Sequence, residues 1–398
     1  MITVTNVFGP LNKGDWELFS QLVDILNENF PREKVCAIAR DKELTQEQFE
    51  DVYVTDQLGK TVAKGRRKNI SIFLMLIVCL IATKLDFAAV LLPRGQRESL
   101  RVIKNSRIVI ACPGGFLEDS SFSYITHVVQ LLVARLYGKP VIMAPMSIGP
   151  VRSAFGKFLL RLALKKCKKI YVRESYSKNF VEDLGIPCVL SDDLAFHLLT
   201  AKSPAVTPKK NYSWIACTVI DWNFPLSDNK KKCRENYINA ISDALNALQA
   251  KCSLPIYFVL QVESDIQAIM DVAKNIEGDY TIGSSDDTPE EVIRYLSQSR
   301  FMIASRFHSY IFSMAAGCPS VAISYLPKTQ YMLRMYCLDS NSIDIYNASS
   351  ERILEILYTT EANLEGYLEK VKSVSKISSE RRREFIGAIS SALNDCEI

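Results

Sequence analysis

The segment IASRFHSYIFSMAAGCPSVAIS, residues 303–324, decides the fold class. It begins as the end of an apolar strand, FMIASR at 301–306, and passes through Arg306 and His308 into small and apolar residues that stop at Gly317. The apolar run SVAISY at 320–325 follows at once. A strand, a short helix with a glycine stop and a second strand describe a βα unit of a mostly parallel sheet. Ligands of such sheets bind beyond the carboxyl ends of the strands, where Arg306 and His308 fall.

The same alternation extends outward in both directions. Residues 2–7, 34–39, 107–112, 140–145 and 169–174 read as strands, and 15–30, 127–138 and 155–167 as helices, the first stopped by Pro31. The polar, proline-containing stretch AKSPAVTPKKN at 201–211 reads as a linker. Beyond it come strands at 214–220 and 255–262, a long helix from about 229 to 251, and a helical C-terminal tail. The expected architecture is α/β, with two Rossmann-like domains at 1–200 and 212–345 and a tail at 346–398.

Composition agrees. With 398 residues, 48% hydrophobic and 23% charged, the chain has apolar material for two cores and is not disordered, collagenous or fibrous. A net charge of +4 from 48 basic and 44 acidic residues gives no bulk argument for a nucleic-acid partner. The eleven cysteines are odd in number, form no C-x-x-C pair and often lie in apolar runs. They read as reduced thiols used as small core residues, which points to the cytoplasm. With three histidines and no clustered ligands, no metal site is expected. The N-terminus begins directly in a strand, without the features of a signal peptide.

One stretch stands apart. SIFLMLIVCLIAT at 71–83 is well short of the ~20 apolar residues that span a bilayer, and KGRRKN precedes it at 64–69. The expected form is a buried helix or strand behind a solvated basic loop. The alternative is that 64–83 makes a peripheral contact with an anionic membrane surface.

Several strand ends carry chemistry. In NKGD, Asp15 is placed to cap the following helix, while Asn12 and the backbone amides can face a ligand. CPGG at 112–115 lets backbone approach a ligand closely, and APMSIGP at 144–150 is a rigid turn. VRES places Arg173 beside Glu174 at another strand end. An arginine fork grips a carboxylate or phosphate, and a histidine moves a proton near neutral pH. Arg173 and Arg306, one from each domain, would together suit a small polyanion.

In order along the chain, NKGD, a Gly-Gly pair followed by Asp119, SIGP, VRES, SDDLAF and SRFHSYIFSMAAGCPSVAISYLPK resemble the polysaccharide pyruvyl transferase family, from about residue 6 to 345. The resemblance implies a two-domain fold similar to GT-B glycosyltransferases, acceptor on the N-terminal side and donor on the C-terminal side. It implies phosphoenolpyruvate as donor, no cofactor, and a pyruvyl ketal formed across two hydroxyls of a sugar. That sugar belongs to a cell-surface polysaccharide or its lipid-linked precursor. By the same resemblance Arg173, Arg306, Phe307 (through its backbone) and His308 bind the donor, and Asn12, Asp15 and Asp119 face the acceptor. The sequence departs from the pattern at Pro113 and at Pro145-Met146, where Gly-Gln is common; these bear on the acceptor. The chemistry needs an acid, for which His308 is the candidate, and a base, Asp15 or Asp119. The competing readings are a GT-B glycosyltransferase using a nucleotide-sugar and a non-catalytic assembly protein at a membrane surface. Binding of phosphoenolpyruvate or of a nucleotide-sugar separates them.

Overall fold

A computed structural model describes residues 1–61, 63–201 and 211–396. The chain divides into two compact units: Met1–Pro10, Asp15–Leu194 and Glu380–Ile398 form the first, Leu11–Gly14 and Ala195–Ser379 the second. Most of the stretch read as a linker, 202–210, lies outside the described residues.

The first unit holds a seven-stranded parallel sheet. Its strands are β1 (Ile2–Val7), β2 (Val35–Ala39), β3 (Tyr53–Asp56), β4 (Ile108–Ala111), β5 (Val141–Met146), β6 (Lys169–Val172) and β7 (Val189–Leu190). They lie in the order β3-β2-β1-β4-β5-β6-β7. The second unit holds β8 (Trp214–Thr218), β9 (Ile256–Phe258), β10 (Tyr280–Ile282), β11 (Ser299–Ala304), β12 (Ser320–Ser324) and β13 (Ser342–Asp344), in the order β10-β9-β8-β11-β12-β13. Helices on both faces bury β1, β4, β5 and β12 along their whole length, and β4 and β5 read as continuous apolar runs.

Both sheets reverse their winding once, between β1 and β4 and between β8 and β11. A crevice opens at such a reversal, and it is where doubly wound sheets bind ligands. Arg306 follows β11 and the Cys112–Gly115 turn follows β4, so each stands at a reversal point.

The last two helices are Ser350–Ala362 and Leu364–Asn394. Ile353, Ile356 and Leu357 of the first enter the core of the second unit. In the 31-residue helix, residues up to Ser379 belong to the second unit and those from Glu380 to the first, where Phe385 packs edge-on against Tyr171 at 5.4 Å. Cys36, Cys79, Cys112, Cys217 and Cys318 are buried, and burial pushes the Cys79 thiol up to about 12.

The apolar stretch after the basic cluster forms the helix Arg66–Ala82, which takes in Arg66, Arg67 and Lys68 as its first turn, while Lys64 precedes it. Gly65, at φ 61°, makes the turn into it. Leu76, Cys79 and Ala82 face the core, but Phe73, Leu74 and Ile77 are exposed. The following 3₁₀ helix, Asp86–Leu91, adds Phe87 at 74% and Leu91 at 76% exposure. The segment is therefore a half-covered ridge, where the sequence led us to expect a buried element. Among the described residues, no helix is long and apolar enough to cross a membrane.

Candidate active site

In the second unit the reversal point is built around Arg306. The residue caps the helix Phe307–Ala315 with an extended backbone, and its guanidinium forks onto Asp265: Nε donates to Oδ2 at 2.8 Å and Nη2 to Oδ1 at 2.6 Å. Asp265 is nearly fully buried and also accepts from the Asp221 amide at 3.2 Å. Burial opposes the charge on Arg306, but pairing with Asp265 and the neighbouring Tyr325 reverses that effect and raises its pKa. The two-point fork fixes the guanidinium plane, which a single charge contact would not.

His308 lies in the first turn of the same helix, half-buried. Its ring packs on the backbone of Gly14: a Cβ at position 14 would lie 2.1 Å from Nδ1, so only glycine leaves the imidazole its place. Asn12 sets this approach. Its Oδ1 accepts from the Gly14 amide at 2.9 Å, capping the helix Lys13–Asn29. The cap is thus Asn12, whereas the sequence reading assigned capping to Asp15, which lies inside the first turn. Phe307 packs edge-on to Phe196 at 6.1 Å.

Lys13 was not singled out by the sequence. It is 1% exposed, and its ammonium donates to the carbonyls of Ser284 at 3.2 Å and Ser285 at 2.7 Å. Burial lowers its pKa against the pull of Asp287, Asp286 and Glu291. A lysine at the start of a helix, where an acidic residue suits the dipole, was the available signal.

In the first unit, the loop after β4 carries Gly114 at φ 156°, where a Cβ would meet the Phe116 ring at 3.0 Å and lie 4.0 Å from Asp15 Oδ1. Asp15 is therefore beside the glycine turn. Asp119 accepts from the amides of Arg152 at 2.9 Å and Ser153 at 2.8 Å. Slight burial would raise its pKa, but these amide bonds hold it below the usual carboxylate value. Arg173, 4% exposed, is enclosed: Nε donates to Ser147 Oγ at 2.8 Å and Nη1 to Asp193, with Glu174 at 3.8 Å. Ser147 in turn donates to Glu174 at 3.1 Å. Within the second unit the structure brings together Asn12, Arg306, Phe307 and His308. Asp15, Asp119 and Arg173 belong to the first, and the last two are engaged by groups of that unit. Among the described residues, no cluster of three or more His, Cys, Asp or Glu could hold a metal ion.

Residues 12–327 match the family model described as polysaccharide pyruvyl transferase. No curated protein matches the chain. Among solved structures, the chain is similar to a UDP-GlcNAc 2-epimerase from Neisseria meningitidis, at 12% identity and TM-score 0.59, covering 98% of this chain and 100% of that one. It is also similar to a glycosyltransferase from Rickettsia africae, at 12% identity and TM-score 0.60, covering 98% of both chains. A UDP-GlcNAc 2-epimerase from Methanocaldococcus jannaschii matches at 9% identity and TM-score 0.57, over 90% of this chain and 91% of that one. At these identities the likeness shows a GT-B-like fold and nothing finer.

Proposed function

The chain belongs to the polysaccharide pyruvyl transferase family, and from that premise we propose that it transfers a pyruvyl group from phosphoenolpyruvate to two hydroxyls of a sugar, forming a ketal. The sugar belongs to a cell-surface polysaccharide or its lipid-linked precursor. The observation that carries this reading is Arg306, held flat by Asp265 at the reversal point, with His308 two residues on in the first turn of the next helix. An oriented guanidinium suits the carboxylate or phosphate of phosphoenolpyruvate, and the helix N-terminus adds amides toward the same anion.

In the reaction, a proton adds to the vinyl CH2, which becomes the methyl group, and positive character develops at C2. A sugar hydroxyl oxygen bonds to C2 and releases its proton to a base. The C2–O bond to phosphate then breaks, phosphate leaves, and the second hydroxyl closes the ketal with loss of its proton. His308 supplies the first proton, and Asp15 accepts from the hydroxyl. We favour Asp15 over Asp119 because its carboxylate lies beside the Gly114 turn, at the reversal point of the first sheet. Arg306 stabilises charge on the donor. Arg173 supports the donor from its network with Ser147, Glu174 and Asp193. No cofactor takes part.

The exposed ridge 66–91, with Lys64 and Arg67 exposed at its start, supports peripheral contact with the inner face of the membrane. Charge reversal at Lys64 and Arg67 should release the chain from anionic vesicles in a flotation assay; unchanged flotation would remove the contact and leave the transferase reading intact. The nucleotide-sugar reading rests on fold alone. Phosphate release from phosphoenolpyruvate with a sugar acceptor tests the main one: His308→Ala should lower turnover by about 10²–10⁴, and near-wild-type turnover would remove His308 as the acid.

A further inference from the structure

The first unit contains a cavity of about 540 Å³ whose walls include none of the residues assigned above. Three consecutive strand ends contribute to it: Phe8 follows β1, Arg40 follows β2 and Gln57 follows β3. The opposite wall is the start of the helix Ser123–Leu136, which follows β4, with Thr126 and His127. The cavity therefore adjoins the reversal point of the first sheet.

Its chemistry is cationic and polar with aromatic faces. Arg40, Lys60 and Lys68 line it. Lys60 is paired with Asp56 at 2.7 Å, but among the described residues neither Arg40 nor Lys68 has a carboxylate partner. The Arg40 guanidinium lies 5.5 Å from the centre of the Phe8 ring. Phe8 stacks on His127 at 5.4 Å. His127 and Thr126 are 1% and 6% exposed, so the polar wall is built into the core and is not a surface accident. Behind His127, Asn6 Oδ1 contacts its Nδ1 at 3.2 Å and Gln130 Nε2 at 2.6 Å. In that arrangement Asn6 Nδ2 and Gln130 Oε1 are buried without hydrogen-bond partners among the described residues.

The helix Arg66–Ala82 links this cavity to the ridge. Lys68, Asn69 and Ile72 line the cavity. Arg67, Ile70, Leu74 and Met75 of the same helix line a groove of about 370 Å³, closed by Leu91 and Leu92. One helix thus carries cations toward a polar cavity and an apolar groove beside it, the two halves of an amphiphile's binding site.

We infer that the cavity binds the phosphate-bearing head group of a lipid-borne sugar, with Arg40 and Lys68 on the phosphate, Phe8 and His127 against the sugar, and the lipid chain in the Ile70–Leu92 groove. The inference rests on the transferase reading only in naming this ligand the acceptor. Two free cations match a phosphate or diphosphate, and a mixed aromatic and hydroxyl wall matches a sugar. The groove's apolar lining is what excludes water from the chain.

The test is calorimetric titration of the full chain with inorganic pyrophosphate and, separately, farnesyl diphosphate. Both should bind, the farnesyl form roughly tenfold or more tighter because its chain leaves water. Arg40→Glu with Lys68→Glu should weaken both by roughly tenfold or more. Leu74→Gln with Leu91→Gln should weaken only the farnesyl form. Phosphoenolpyruvate, titrated into the same variants, should bind as in the wild type and shows that they fold. Binding unchanged by the charge reversal would overturn the cavity assignment. Equal affinity for the two probes would assign the cavity to a free phosphate and overturn the lipid-borne ligand. If the farnesyl results hold while phosphoenolpyruvate fails to bind the wild type, the transferase reading falls and the cavity stands.

Discussion

The two units share one strand order but finish their reversal points differently. In the second, the helix after β11 starts at Phe307, three residues beyond Ala304, so Arg306 and His308 are carried straight from strand end into the first helical turn. In the first, the helix after β4 starts at Ser123, and an eleven-residue loop at 112–122 intervenes. The histidine of that helix, His127, is its fifth residue and is buried, stacked on Phe8 at 5.4 Å and tilted against Phe116 at 4.6 Å. Burial, helped by nearby Arg40, drives its pKa down to about 3. Two histidines on topologically equivalent helices thus differ because one is the second residue of its helix, at the strand end, and the other the fifth. The arginines teach the same lesson: Arg306 follows the strand at the reversal, Arg173 one two places further out, and the second is enclosed.

The contrast between the arginines breaks most sharply on stability. Arg173→Ala removes the guanidinium paired with buried Asp193 and Glu174, and should cost about 3–5 kcal/mol of unfolding free energy in urea denaturation. Arg306→Ala removes the cation of one buried carboxylate, Asp265, rather than two, and at a partly exposed site; it should cost less while removing donor binding. Equal losses would mean that both arginines are structural.

The contrast between the histidines sharpens with pH. His127 is neutral when folded, with a pKa of about 3, against roughly 6.5 when unfolded. Above that unfolded value it places no proton demand on folding. As pH falls below it, the unfolded chain binds a proton that the folded chain refuses, and stability drops by about 1.4 kcal/mol per pH unit until the folded pKa is reached. His127→Asn should start less stable but lose stability less steeply between pH 6 and pH 5. Parallel slopes would contradict the buried neutral assignment.

The smallest effect belongs to the helix cap. Asn12→Ala should cost about 1 kcal/mol, and Asp15→Asn much less, because Asn12 is the residue that accepts the Gly14 amide. The reverse ranking would restore capping to Asp15.

Much of the fold was legible in the sequence, and the strands that were not share one cause. Every strand that periodicity passed over, β3, β7, β10 and β13, is an edge strand. Edge strands are short and half-covered, as in YTI and SID, so they lack the continuous apolar run that burial on both faces imposes. The helix Arg66–Ala82 was mis-bounded because its first turn is basic and solvated, which reads as loop. At the site, Arg306 and His308 were visible because strand, charge and helix are adjacent in sequence. Asp265 was not, since it reaches Arg306 from another connection of the same sheet. Lys13 was overlooked because a lysine in a polar turn looks solvated, and only the packed carbonyls of Ser284 and Ser285 show otherwise.

The central claim is that Arg306 holds phosphoenolpyruvate. Calorimetric titration of the wild type and of Arg306→Ala with phosphoenolpyruvate, alongside a panel of nucleotide-sugars, tests it most directly. The account predicts wild-type binding of phosphoenolpyruvate, weakened by roughly a hundredfold or more in Arg306→Ala as a charged two-point contact is lost. Binding of a nucleotide-sugar in place of phosphoenolpyruvate, or phosphoenolpyruvate binding that survives Arg306→Ala unchanged, would contradict it.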